Sequence, residues 1–140
     1  MAEIPSEFLG KWTYTSNENF DKYLEAKGVP WLLRKAASMA SATFEITKIG
    51  DGKYHMEIKS SIKSQSFDFT PGVEFNMKAM DGKNYRCTYT VEGEELVDTR
   101  YNIDDPNDPV AVSRMTVTDG QLTQNLTSGE ASCKRFFKKA

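Results

Sequence analysis

Apolar and polar side chains alternate along most of the chain, in short runs separated by turn-forming residues. Such alternation is the pattern of a half-buried β-strand. One run lies near the N-terminus, "FLGKWTYTS", and nine more follow residue 41. The turn signals between them are Asp51-Gly52, Pro71-Gly72, Asp81-Gly82, Glu92-Gly93, Asp119-Gly120 and Gly129. Ten short strands with frequent turns predict an antiparallel sandwich or barrel.

The segment between the first two strands has helical spacing instead. Its positions at intervals of three and four residues are Phe20, Tyr23, Leu24 and Lys27. Gly28 is a typical helix stop, and Pro30 suits the first turn of a second helix in "PWLLRKAASMA". The apolar stripe of that second helix is Leu32, Ala36 and Met39. Two short helices joined in this way predict a helical hairpin that caps the strands.

The last strand, "CKRFFKKA", places an arginine on an apolar side. Cys133, Arg135 and Phe137 share one face because side chains alternate along a strand. Alternation alone leaves open whether this face points inward or Arg135 is an ordinary surface residue. Several strands carry polar residues on both faces, which favours a closed ten-stranded barrel with a ligand cavity over a solid core. In such a cavity, water or a ligand satisfies an inward arginine.

Length, composition and charge narrow the functional classes. The 140 residues suit one domain spanning 1–140, with 39% hydrophobic and 27% charged residues. A net charge of −2 argues against nucleic-acid binding. The chain has no apolar run of membrane-spanning length and no classical secretion signal, so we expect a cytoplasmic or nuclear protein. Cys87 and Cys133 are then expected to be reduced apolar fillers, and the sequon at Asn125 to be unused.

No catalytic or metal-binding pattern is evident. His55 stands alone, no cysteine or serine has a histidine partner in view, and no two carboxylates form a defensible acid–base pair. The sequence therefore predicts a non-enzymatic protein without a cofactor or metal.

The order of strand, two helices and nine strands, together with two motifs, resembles the intracellular lipid-binding proteins, the family of cytosolic fatty-acid-binding and retinoid-binding proteins. The motifs are Gly10-Lys11-Trp12-Thr13-Tyr14 and Asn19-Phe20-Asp21-Lys22-Tyr23-Leu24. "GVPWLLRKAASMA", with Arg34-Lys35, is similar to the family's second helix, and Tyr14 departs from the usual aliphatic residue. The resemblance covers the whole chain. It implies an all-β fold, a ten-stranded antiparallel β-clam of the lipocalin-like (calycin) type with a two-helix lid.

The resemblance also implies a carboxylate site of two arginines and a tyrosine. Arg135 matches the second arginine and Phe137 the tyrosine position, where the hydroxyl is missing. Arg114 is matched to the first arginine, with one extra residue assigned to the turn at "SGEAS". The residues expected to line the cavity or portal are Phe20, Leu33, Ile62, Met80 and Val112. Asn125 is expected to point inward beside the anion site.

The implied function is a cytosolic carrier of long-chain fatty acids or similar hydrophobic carboxylic acids. Two inward guanidinium groups need an anion, and a carboxylate matches their forked geometry. Retinol-binding relatives carry glutamine at these positions, so Arg114 and Arg135 favour an acid. Each buried CH₂ of the tail contributes about 0.8 kcal/mol. We expect a monomer.

Two alternatives belong to other functional classes. The first is a signalling adaptor whose lid contacts a membrane or a nuclear-import partner through Lys22, Lys27, Arg34 and Lys35. Those four residues also fit an ordinary solvated face, and Glu25 replaces one basic residue of the usual nuclear-import trio. The second alternative is a lipid-modifying enzyme, which would need a nucleophile or an acid–base pair.

Overall fold

A computed structural model describes residues 3–61, 63–79 and 81–140. After a short 3-10 helix at Ser6–Phe8, the elements are β1 Gly10–Glu18, α1 Phe20–Ala26, α2 Trp31–Met39, β2 Ala42–Gly50, β3 Lys53–Ser60, β4 Ser64–Phe69, β5 Phe75–Lys78, β6 Asn84–Glu92, β7 Glu95–Asn102, β8 Ala111–Thr118, β9 Gln121–Ser128 and β10 Ala131–Lys139. The predicted order of one strand, two helices and nine strands is confirmed.

The ten strands form one antiparallel sheet in the order β4-β3-β2-β1-β10-β9-β8-β7-β6-β5. The sheet curls into a nearly closed barrel whose two edge strands, β4 and β5, face each other. Gln65 on β4 reaches across with its side-chain amide, which donates to the carbonyl oxygen of Lys78 on β5 at 2.6 Å. Aromatic rings fill the interior beside this gap, with Phe67 and Phe75 5.7 Å apart between centroids. Side-chain packing therefore closes the barrel where the backbone ladder stops.

One end of the barrel holds an apolar core. Phe8, Ile46, Tyr54 and Leu122 are fully buried there, and Trp12 is almost so. The Trp12 indole NH donates to the carbonyl oxygen of Phe8 at 2.9 Å, so the one polar atom of this ring is satisfied. Truncating such a residue typically costs about 3–5 kcal/mol. This core closes one end of the barrel.

The helical hairpin lies over the other end. α1 packs against β10 and buries Tyr23, while α2 has no buried residue. The predicted apolar stripe of α2 points to solvent, since Leu32 is 70% and Met39 78% exposed. Within the described residues, neither helix has the length and hydropathy needed to cross a bilayer.

The two cysteines are free and buried, as predicted for apolar fillers. Burial raises the pKa of both the Cys87 and the Cys133 thiol to about 11. Both thiols therefore stay protonated at neutral pH and are poor nucleophiles.

Candidate functional site

Arg135 carries a largely buried guanidinium that has no acidic partner among the described residues. It lies on β10 with its side chain in the barrel interior, and no ion pair forms between it and a carboxylate in residues 3–61, 63–79 and 81–140. Its Nε atom is buried and has no hydrogen-bond acceptor among those residues. Burial lowers the pKa of Arg135, because desolvation penalises the charged form. The inward orientation predicted for Arg135 is confirmed.

Three aromatic rings surround this guanidinium. Its central carbon lies 4.6 Å from the ring centroid of Phe20, 5.0 Å from that of Tyr14 and 5.3 Å from that of Phe137. Tyr14 comes from β1, where it pairs with Phe137 of β10, and Phe20 is the first residue of α1. The faces of aromatic rings attract cations, so the rings offset part of the cost of burying this charge. They do not neutralise it.

The orientation predicted for Arg114 is wrong. Its side chain is 45% exposed on the outer face, where Nη1 lies 3.3 Å from Glu92 Oε1 and 3.2 Å from Glu95 Oε1. The two-residue turn at Asp119-Gly120 sets the β8–β9 register, and the following residue, Met115, faces inward instead. A shift of one residue exchanges the two faces of a strand.

A different arginine supplies the second inward guanidinium, and it has its own counter-ion. Arg100 and Asp98 lie two residues apart on β7, with Arg100 Nε 2.9 Å from Asp98 Oδ2. Burial raises the pKa of Asp98, and the adjacent guanidinium opposes that rise. The sequence analysis did not find this pair: alternation puts Leu96, Asp98 and Arg100 on one face, but Val97 on the other face is also apolar, so the sequence does not show which face is inward.

Two adjoining cavities occupy the barrel interior, with volumes of about 100 and 290 Å³. Both are lined by Ile58, Asp98, Arg100, Gln124 and Arg135. The smaller one extends toward apolar and aromatic residues, namely Phe44, Met56, Tyr89, Met115 and Phe137. The larger one extends toward the lid, where Tyr23, Leu24 and Val29 form its roof and Val112 part of its wall. The two cavities thus share the Arg135 guanidinium and the Asp98–Arg100 pair, and most of their other lining residues are apolar.

The remaining predicted site residues divide into three groups. Phe20 contacts Arg135, and Val112 lines the larger cavity. Leu33 is 57% exposed and lines neither of these two cavities. Asn125 pairs in register with the outward residues Arg114 and Lys134, so its predicted inward orientation is wrong, and its neighbour Gln124 faces the cavity. Ile62 and Met80 lie outside the described residues.

Two of the four lid cations are engaged in ion pairs. Lys27 Nζ lies 2.5 Å from Asp108 Oδ1, which ties the end of α1 to the loop after β7. Arg34 Nε lies 3.2 Å from Asp21 Oδ1. Lys35 lies over the Trp31 ring at 5.2 Å. These contacts leave fewer unpaired positive charges on the lid than its sequence suggests.

Comparison with known proteins decides the family. Residues 6–140 match the model of the lipocalin / cytosolic fatty-acid binding protein family. The chain belongs to this family. Fatty acid-binding protein homolog 5 of Caenorhabditis elegans is 34% identical over 131 residues, which cover 94% of this chain and 95% of the relative.

Solved structures of family members have the same fold. The Schistosoma mansoni fatty acid binding protein in complex with arachidonic acid is 29% identical with a TM-score of 0.89, covering 99% of both chains. As-p18, an extracellular fatty acid binding protein, is 27% identical with a TM-score of 0.91, covering 99% of this chain and 100% of the other. Because one of these similar proteins is described as extracellular, the cytoplasmic or nuclear location of this protein stays a prediction.

Proposed function

We propose that this protein is a non-enzymatic carrier of long-chain fatty acids or similar hydrophobic carboxylic acids. The ligand lies inside the barrel with its carboxylate at Arg135 and its chain along the apolar walls. Fatty-acid binding by the relatives supports the ligand class. The single observation that carries the proposal is the buried Arg135 guanidinium, which faces a cavity without an acidic partner in the described chain.

The charge balance of the cavity favours one anion. Arg100 and Asp98 neutralise each other, whereas Arg135 is left with a full positive charge. A buried unpaired charge costs several kcal/mol, and a carboxylate removes that cost through a charge-assisted, two-pronged hydrogen bond. A neutral lipid alcohol cannot provide this compensation. The head-group site is therefore expected to select acids.

The apolar part of the ligand supplies most of the affinity. Fifteen methylene groups give a gross gain of roughly 12 kcal/mol before the costs of association and ordering are subtracted. Micromolar to nanomolar dissociation constants are the expected range. Arg135 thus sets orientation and head-group selectivity, and the cavity walls set the strength of binding.

Native mass spectrometry followed by denaturation and lipid identification tests the ligand class. Delipidated wild-type protein, Arg135→Gln and Arg114→Gln are then titrated with cis-9-octadecenoic acid. Arg114→Gln is the matched control, because it removes an arginine from the outer face. We expect binding to weaken by about 10- to 100-fold in Arg135→Gln only. A wild-type protein that ignores added acids would refute the proposal, and an equal loss in both variants would refute the role of Arg135.

A second function, docking of the lid to a membrane, is favoured by the exposed apolar side chains of α2. Trp31 is 62% and Leu32 70% exposed, next to the charged Lys35. Helices with such a face insert into the lipid interface. Vesicle flotation of wild type and a Trp31→Gln/Leu32→Gln double variant tests it. Equal flotation of the two proteins would refute membrane docking through α2.

A further inference from the structure

Tyr14 carries the one polar group among the three rings that surround the Arg135 guanidinium. The other two rings, Phe20 and Phe137, have no hydroxyl. The Tyr14 ring centroid lies 5.0 Å from the guanidinium carbon and 5.8 Å from the ring centroid of Phe137, which it meets edge-on. Tyr14 is half-buried, so this ring is less enclosed than the core residues below it.

The backbone of β1 places Tyr14 at the border of the smaller cavity. Tyr14 lies directly opposite Phe137 on β10, and a β-bulge after Tyr14 brings Asn17 opposite Arg135. Directly opposed residues of two paired strands share a face, so Tyr14 and Asn17 lie on the same face as Arg135 and Phe137. Arg135 and Phe137 both line the smaller cavity. Tyr14 therefore packs against two of its walls.

The Tyr14 hydroxyl oxygen already accepts one hydrogen bond, which leaves its proton for another group. Asn17 Oδ1 accepts from the backbone N–H of Phe20 at 3.2 Å, so Asn17 Nδ2 faces Tyr14 and donates to the hydroxyl oxygen at 2.5 Å. An amide nitrogen cannot accept in return. In residues 3–61, 63–79 and 81–140, no atom accepts the Tyr14 proton. The site thus contains an unused hydroxyl donor next to the guanidinium.

A single carboxylate can reach both donors. The phenol oxygen lies about 3 Å from its ring centroid, so it is at most about 8 Å from the guanidinium carbon of Arg135. A carboxylate that places one oxygen on each donor spans about 8 Å at ordinary hydrogen-bond lengths. A hydrogen bond to an ionised oxygen is stronger than one to a neutral oxygen. A hydroxyl donor at this point therefore favours an acid over an alcohol.

We infer that the Tyr14 hydroxyl is a second donor to the carboxylate of the bound acid and that it adds to the acid selectivity set by Arg135. This inference rests on the proposed function, because Arg135 has to bring the carboxylate within reach of Tyr14. Asn17 holds the hydroxyl oxygen in place before the ligand arrives, which lowers the cost of ordering the donor. Through Asn17, the head-group site is also connected to Phe20, the first residue of α1.

A comparison of acid and alcohol binding in tyrosine variants tests the inference. Delipidated wild type, Tyr14→Phe and Tyr101→Phe are titrated calorimetrically with cis-9-octadecenoic acid and with the alcohol of the same chain. Tyr101→Phe is the matched control, because it removes the same atom from a side chain that is 48% exposed and lines neither cavity. The readout is the acid-to-alcohol affinity ratio, in which effects on chain binding cancel. We expect this ratio to fall about three- to tenfold in Tyr14→Phe only.

A further variant moves the hydroxyl to the neighbouring ring. Tyr14→Phe/Phe137→Tyr has the same composition as the wild type and keeps a hydroxyl on a ring beside Arg135. If the hydroxyl acts as a donor to the ligand, this exchange is expected to return the ratio to within about threefold of the wild-type value. Circular dichroism and binding of the alcohol show that each variant is folded.

The outcomes separate this inference from the proposed function. Acid binding by the wild type with an unchanged ratio in Tyr14→Phe would overturn the inference and leave the carrier function standing. An equal fall in Tyr101→Phe, or a fall in Tyr14→Phe that the exchange variant does not restore, would also overturn it. Failure of the wild type to bind the acid would overturn the carrier function and the inference together.

Discussion

Replacing Arg135 with methionine is expected to stabilise the empty protein and weaken the complex. An uncompensated buried charge costs several kcal/mol. Contacts with the rings of Phe20, Tyr14 and Phe137 return about 0.5–1 kcal/mol each. Methionine removes the charge and packs its apolar chain against the same rings. The net expectation for Arg135→Met is a gain of about 2 kcal/mol in the free energy of unfolding, or roughly 6 °C in Tm.

Ligand is expected to cancel most of this advantage. At a free ligand concentration 100 times its dissociation constant, the acid stabilises the wild type by about 2.7 kcal/mol. A variant that binds about 30-fold more weakly gains less than about 1 kcal/mol at the same concentration. Urea unfolding of delipidated and loaded protein measures both effects. Arg114→Met, on the outer face, is the control and is expected to lose at most about 1 kcal/mol in either state.

An empty Arg135→Met protein that is less stable than the wild type would refute this reasoning. It would mean that the guanidinium contributes net stability through its aromatic contacts. Arg135 would then be a structural residue and the need for an anion would disappear.

Three further substitutions test other parts of the account. Met115→Arg places a third guanidinium in the cavity beside Arg135 and the paired Arg100, and urea unfolding and calorimetry are expected to show an empty protein less stable by about 2–4 kcal/mol that binds acids more tightly. Phe137→Tyr adds a hydroxyl donor, and titration is expected to show roughly three- to tenfold tighter acid binding. Burial raises the pKa of Asp108, but hydrogen bonds from Asn102 and Lys27 outweigh it and hold that pKa below its ordinary value. This carboxylate therefore contributes stability above its unfolded pKa and loses it as pH falls through the lower folded pKa, so Asp108→Asn is expected to flatten the stability profile below about pH 4.

The turn residues made most of the fold predictable. Asp51-Gly52 and Asp119-Gly120 mark two-residue turns, and Gly52 and Gly120 adopt φ values of 66° and 77°. Because each turn fixes the register of its hairpin, ten strands followed from the sequence. The inward face of the last strand followed from Arg135 lying between Cys133 and Phe137.

The partners of Arg135 were harder to predict, because they depend on register between distant strands. Arg114 was matched by counting back from Arg135 with an extra residue placed in the β9–β10 turn, and an error of one residue reversed its face. Asp98 and Arg100 were visible by alternation, yet nothing in "EELVDTRYN" says which face is inward. Only the folded barrel shows that Arg100 has a counter-ion and that Arg135 has none among the described residues.

Arg135 is proposed to meet a carboxylate inside the barrel, and a paired titration tests this interaction most directly. Delipidated wild type and Arg135→Gln are each titrated with cis-9-octadecenoic acid and with the alcohol of the same chain. We expect the wild type to bind the acid at least tenfold more tightly than the alcohol, and the variant to bind the two about equally. Equal affinities in the wild type would contradict the claim, as would an acid preference that survives the loss of the guanidinium.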